Sequence, residues 1–173
     1  MLKQVEQNES HTISVLVDNE PGVLARVVGL FSGRGYNIES LTVTETEHEE
    51  HVSRITMITT GTPQVIEQIK AQLDRLVPVH SVVDLTVTGN GVERELALVK
   101  VAGKGEHRVE SLRLAEAFRA QIIDATTESF VFEITGRTNK IDQFITLMGP
   151  LGLVEVSRTG IAAISRGVKG MGS

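Results

Sequence analysis

The order of its elements constrains this chain most, because one order occurs twice. Residues 12–17 alternate Ile13, Val15 and Val17 with polar or outward-facing positions, the period-two pattern of a half-buried strand. Val23, Leu24, Val27, Val28 and Phe31 then share one face of a helix. The β-branched runs 38–47 and 52–60 flank an acidic patch at 47–50 and predict a hairpin. Thr62 and Pro63 suit the N-cap and first position of a second helix, whose apolar stripe is Val65, Ile66, Ile69, Leu73 and Leu76. Residues 79–88 close the unit as a strand with Val83, Leu85 and Val87 on one face. The order is βαββαβ.

A turn-rich break, Thr88-Gly-Asn-Gly-Val92, separates this unit from the next. After it come a strand at 94–101 and a helix at 107–120 carrying Val109, Leu112, Ala115 and Phe118. Strands at 121–126 and 130–135 form a second hairpin, in which Gln121-Ile122-Ile123-Asp124 reads as a plain buried strand. Ile141, Phe144, Ile145 and Met148 make a helical stripe, and 154–156 with 161–165 supply a final strand or strand pair. All the helix stripes are expected in the core. The fold class is therefore α+β, two ferredoxin-like βαββαβ domains, each an antiparallel sheet with both helices on one face. The expected boundaries are a flexible lead-in at 1–10, a first domain at 11–88, a linker at 89–92 and a second domain at 93–173. Units of about 75 residues are small for a lone core, and an uncovered sheet face or edge invites a second copy of the chain.

Composition removes several function classes. Of the 173 residues, 40% are hydrophobic and 23% charged, as in an ordinary globular protein. Seventeen Lys and Arg against 22 Asp and Glu give a net charge of −5 without a long basic tract, which argues against a nucleic-acid partner. Zero Cys excludes disulfides, Cys-based zinc sites and a thiol nucleophile. No apolar run approaches the roughly 20 residues of a membrane helix, and the first ten residues lack the apolar core of a signal peptide, so a soluble cytoplasmic protein is expected. His48 and His51 in EHEEH are three apart, whereas two imidazoles on one helical face for zinc need a spacing of four; a solvated acidic loop is the better reading. Gly29, Gly33 and Gly35 follow a helix rather than a strand and make no dinucleotide fingerprint. No nucleophile elbow, phosphate loop or fixed acid/base pair appears, so no catalytic residue and no metal site is assigned.

The stretch DNEPGVLARVVGLFSGRGYN, residues 18–37, carries the remaining signal. On one reading it is ordinary capping, with Asn19 closing the helix start and Gly33 and Gly35 ending the helix. On the other it is a cradle for a small anion. A helix start leaves amides unpaired and carries about half a positive charge, Gly22 allows close approach to its backbone, and Asn19 offers both donors and acceptors.

The run LVDNEPGVLARVVGLFSGRGYNIESLTV resembles the ACT domain of the small regulatory subunits of acetolactate synthase (acetohydroxyacid synthase). VERELALVKV, FRAQIIDAT and GIAAISRG resemble the C-terminal domain of the same subunits, and the likeness runs from about residue 11 to 167. The resemblance implies an N-terminal ACT domain, a C-terminal ACT-like domain and a non-catalytic subunit. Such a subunit binds and activates the large catalytic subunit, which carries thiamine diphosphate, Mg²⁺ and FAD, and makes it sensitive to feedback inhibition by valine or a related branched-chain amino acid. The chain itself would carry no cofactor. The effector site implied lies between two ACT domains of a homodimer, with Asn19 and Gly22 from one subunit facing Asn37 and Ile38 of the other. Two alternatives stand beside it: a free-standing amino-acid-sensing module controlling a different enzyme or regulator, and a small ferredoxin-like enzyme.

Overall fold

The computed structural model describes residues 7–47, 51–89 and 91–171. Its elements run β1 (Glu9–Asp18), α1 (Val23–Gly33), β2 (Ser40–Glu47), β3 (Val52–Gly61), α2 (Pro63–Asp74) and β4 (Val79–Asp84). The second series is β5 (Gly91–Val101), α3 (Glu106–Ala117), β6 (Gln121–Ala125), β7 (Phe130–Gly136), α4 (Thr138–Met148) and β8 (Leu153–Ser165). The first sheet has strand order β2-β3-β1-β4 and the second β6-β7-β5-β8. In each unit the second hairpin strand, β3 or β7, lies between the first hairpin strand and the opening strand, β1 or β5, as a split βαβ requires.

In the first unit the odd-numbered residues of β1 and β3 face the helices. Ile13, Val15, Ile55 and Met57 are fully buried against Val27 and Phe31 of α1 and Ile66, Ile69 and Leu73 of α2. The helix starts differ in how they are closed. Thr62 caps α2 through its side chain, which accepts from the Val65 N–H at 3.4 Å, and Pro63 follows. At the other end of α1, Tyr36 N–H donates to the Phe31 carbonyl (3.0 Å) and Gly35 N–H to that of Ser32 (3.4 Å). This is a Schellman stop, with Gly35 at φ +71° and the Phe31 and Tyr36 rings edge to face at 6.2 Å. Gly35 therefore ends the helix, and Gly33 is its last helical residue.

The opposite face of this sheet is also buried. Thr12, Ser14, Leu16, Thr56 and Ile58, which alternate with the core residues, are all 7% exposed or less. By contacts the chain divides into Met1–Val92 together with Ile161–Ser173, and Glu93–Gly160. The segment from Ile161 onward thus belongs with the first unit, where the sequence reading assigned it to the second domain. It meets β2 on this face: Ile161 N–H donates to Ser40 Oγ and Thr42 Oγ1 donates to the Ile161 carbonyl, both at 3.0 Å. β2 and β4 are the edges of this sheet.

In the second unit Ala97, Val99 and Val101 of β5 and Phe130, Phe132 and Ile134 of β7 pack against Ile141, Phe144 and Met148 of α4. Phe144 meets Phe118 and Phe132 at ring distances of 5.4 and 6.1 Å. Glu95, 5% exposed, receives Arg158 Nε at 2.6 Å and Nη2 at 2.8 Å, and Arg158 Nη1 reaches Asp142 at 2.7 Å. The hydrogen bonds to Glu95 raise the Arg158 guanidinium further above its ordinary range, against the opposing effect of burial.

Several local expectations give way to the tertiary structure. Every residue of β6 is exposed, Ile122 at 49% and Ile123 at 51%, because β6 is an edge strand rather than a buried one. Val109 is exposed, and Ser111 and Ala115 supply the buried positions of α3. On α1 Leu24 faces outward. Strand β4 ends at Asp84, whose carboxylate accepts from the Thr86 and Val87 amides and turns the chain, so Leu85 is buried and Val87 exposed. The final element is one continuous strand, and β1 already begins at Glu9 within the expected lead-in.

Candidate functional site

The loop from β1 to α1 holds Asn19 and Gly22, both exposed. Its base is fixed: the Asp18 N–H donates to the Pro78 carbonyl (2.9 Å) and that of Asn19 to the His51 carbonyl (2.6 Å). The Asp18 carboxylate pairs with His80 Nε2 at 2.6 Å. Asn19 does not cap the helix. The N-cap is Gly22, in the left-handed region at φ +88°, and no side chain bonds to the helix start. A Cβ at Gly22 would meet nothing within 4 Å, so the position needs glycine for its backbone conformation and not for want of space.

The first intrahelical bond runs from Arg26 N–H to the Gly22 carbonyl at 3.0 Å, and the first turn carries no acidic residue. Among the described residues no side chain caps α1, and its own first turn brings no carboxylate to its positive pole. Of the other helices, α2 is capped by Thr62 and α3 has Glu106 in its first turn, whereas α4 shares with α1 the lack of both. A carboxylate ligand would find at α1 the unpaired amides and the positive pole of a helix start, entered through Gly22.

Asn37 and Ile38 precede β2, Asn37 exposed and Ile38 packed in part against the core of its unit. The Asn37 carbonyl accepts from Thr59 Oγ1 at 2.7 Å, and Glu39 N–H donates to the Ile58 carbonyl at 2.8 Å. The register of β3 now places the two pairs. Asn19 lies beyond the Asp18↔Val52 rung, whereas Asn37 is tied to Thr59 at the other end of the same strand. Seven residues at about 3.3 Å each put the two ends about 23 Å apart, several times the length of an amino acid. One protomer brings Asn19 together with Gly22 and Asn37 together with Ile38, but does not bring the pairs to one ligand.

Two clefts lie elsewhere. One of about 560 Å³ is lined by Leu30, Arg34, Gln72 and Arg75 of the first unit, and one of about 220 Å³ by Leu98, Lys100, Val131 and Glu155 of the second. None of the four candidate residues lines either. His48 of the EHEEH stretch lies outside the described residues, and among those that are described no group of three metal-ligating side chains occurs. Among the described residues no helix is long and apolar enough to cross a membrane. What sequence reading missed was the tail at Ile161 on β2, since no local pattern announces a contact 121 residues away.

Comparison with known proteins identifies the family. Residues 13–81 match the family model described as the AHAS small subunit-like ACT domain, and residues 94–167 the one for the small subunit of acetolactate synthase. The chain is 47% identical over 159 residues to a probable acetolactate synthase small subunit of Archaeoglobus fulgidus, covering 92% of this chain and 98% of that one. It is 46% identical to the acetolactate synthase isozyme 3 small subunit of Escherichia coli, covering 91% and 96%. The crystal structure of the acetolactate synthase small subunit from Thermotoga maritima superposes with a TM-score of 0.84 at 41% identity, covering 93% of this chain and 99% of that one. With both units matched in order and nearly the whole length aligned, the chain belongs to the family of acetolactate synthase small subunits.

Proposed function

We propose that this chain is the regulatory subunit of an acetolactate synthase: it binds valine or a related branched-chain amino acid, activates a large catalytic subunit and confers feedback inhibition on it. The observation that carries the reading is the α1 start, uncapped by any side chain and without an acid in its first turn, in a domain of this family. An amino acid needs a carboxylate cradle, an acceptor for its ammonium group and a small apolar wall. The α1 amides at Gly22 supply the first, the side-chain carbonyl of Asn19 or Asn37 the second, and Ile38 the third. Because the pairs lie at opposite ends of one sheet, the ligand sits between Asn19 and Gly22 of one protomer and Asn37 and Ile38 of another. A homodimer joined near the free β2 edges is the arrangement this requires.

The chain contributes regulation and no chemistry, and thiamine diphosphate, Mg²⁺ and FAD belong to the large subunit. Valine differs from leucine by one methylene, so discrimination within the class is modest, about 1–3 kcal/mol. Acetolactate formation by the matching large subunit, measured with and without this chain and titrated with valine, tests the proposal. The chain alone should convert no pyruvate, and the mixture should run faster and become valine-sensitive. An unchanged rate and valine response would favour a free-standing sensor acting on another enzyme.

A further inference from the structure

We propose that Ile161 is a clamp through which effector occupancy at Asn37 and Ile38 reaches the second unit along β8; this rests on the valine reading above. Strand β8 is continuous from Leu153 to Ser165, yet its residues through Gly160 belong to one compact unit and those from Ile161 to the other. Both backbone polar groups of Ile161 are held by side chains of β2, the N–H by Ser40 Oγ and the carbonyl by Thr42 Oγ1. Ser40 follows Ile38 by two residues. Between them nothing slack intervenes, because Asn37 is tied to Thr59 and Glu39 to Ile58. A ligand that displaces Ile38 therefore moves Ser40 rather than dissipating in a loop.

The other half of β8 is anchored as firmly. Arg158 binds Glu95 through two nitrogens and Asp142 through a third, and Thr159 Oγ1 accepts from the Leu96 N–H at 3.1 Å. Between these anchors and Ile161 stands Gly160 at φ +83°, a backbone state that other L-residues rarely adopt. The segment is thus pinned at 158–159 and at 161, with one conformationally permissive residue between. A ligand favouring one position of Ser40 biases the Ile161 clamp and, through Gly160, the strand that carries Arg158. Differential binding to two positions of such an element is what regulation needs.

The test uses the full-length chain reconstituted with its large subunit, valine as the probe and the variant Ser40→Ala with Thr42→Val, which removes both clamp bonds and leaves Asn37 and Ile38 in place. Binding is read by thermal shift of the isolated chain and coupling by valine inhibition of acetolactate formation. The expected result is a valine shift like that of wild type with the inhibition ratio reduced about fivefold or more, the lower end of typical allosteric coupling. Thr42→Ser, which keeps the hydroxyl, should behave as wild type. If the double variant does not fold, the near-isosteric Thr42→Val alone reads the same outcome. Wild-type inhibition in a clamp variant that still binds valine overturns the clamp and leaves the valine site standing. Absence of any valine shift in the wild-type chain overturns the site and the clamp together.

Discussion

Gly22 separates backbone strain from ligand exclusion, since the structure assigns each a distinct cause. With φ +88° and no atom within 4 Å of a Cβ, replacing it with alanine brings no collision. The penalty is the left-handed backbone itself, about 1–2 kcal/mol. At about 4 °C per kcal/mol for a unit near 100 residues, Gly22→Ala should melt ~4–8 °C below wild type. Asn enters the left-handed region more readily than Ala, so Gly22→Asn should lose less. Valine at a hundred times its Kd stabilises the native state by about 2.7 kcal/mol, a rise of ~10 °C on the same scale. Gly22→Asp places a carboxylate at the uncapped start of α1, where the ligand's own carboxylate is expected, and should abolish that rise. The assay is differential scanning fluorimetry of wild type, Gly22→Ala, Gly22→Asn and Gly22→Asp, each with and without valine. A full valine shift in folded Gly22→Asp would refute the placement of the ligand. Equal destabilisation by Ala and Asn would refute the conformational reasoning.

The remaining predictions concern assembly and charge. The isolated chain should sediment as a dimer or larger at micromolar concentration, and a monomer that still binds valine would contradict the shared pocket. Arg158→Met leaves Glu95 buried without its partner and should cost about 3 kcal/mol in urea unfolding; adding Glu95→Gln to it should recover part of that loss, because no charge then remains buried. Lys100 donates to Glu155 at 2.6 Å and lowers the carboxyl below its ordinary range. A folded value below the unfolded one means the stabilisation is present above the unfolded pKa and is lost as pH falls through the folded one. A carboxyl NMR titration should therefore place Glu155 below an ordinary glutamate, and Lys100→Ala should return it there.

Local pattern carried most of the architecture. A strand's period of two and a helix's of 3.6 are properties of neighbouring residues, so Ile13, Val15 and Val17 marked β1, and Ile141, Phe144 and Met148 marked the buried side of α4. Thr62 and Pro63 marked the start of α2 for the same reason, since a cap bonds within one turn. Burial, by contrast, depends on what lies across the sheet. Ile122 and Ile123 read as core until the strand order put β6 at an edge, and Thr12 and Ser14 read as outward-facing although both are buried. Asn19 had the right residue type for a cap, but Gly22 took the position because the chain enters α1 through the left-handed region. The four candidate residues were legible one by one, whereas their separation into two pairs follows from the register of β3, which is a pairing of distant segments. The same holds for Ile161: its hydrogen bonds to Ser40 and Thr42 join residues about 120 positions apart, and only the folded chain brings them together.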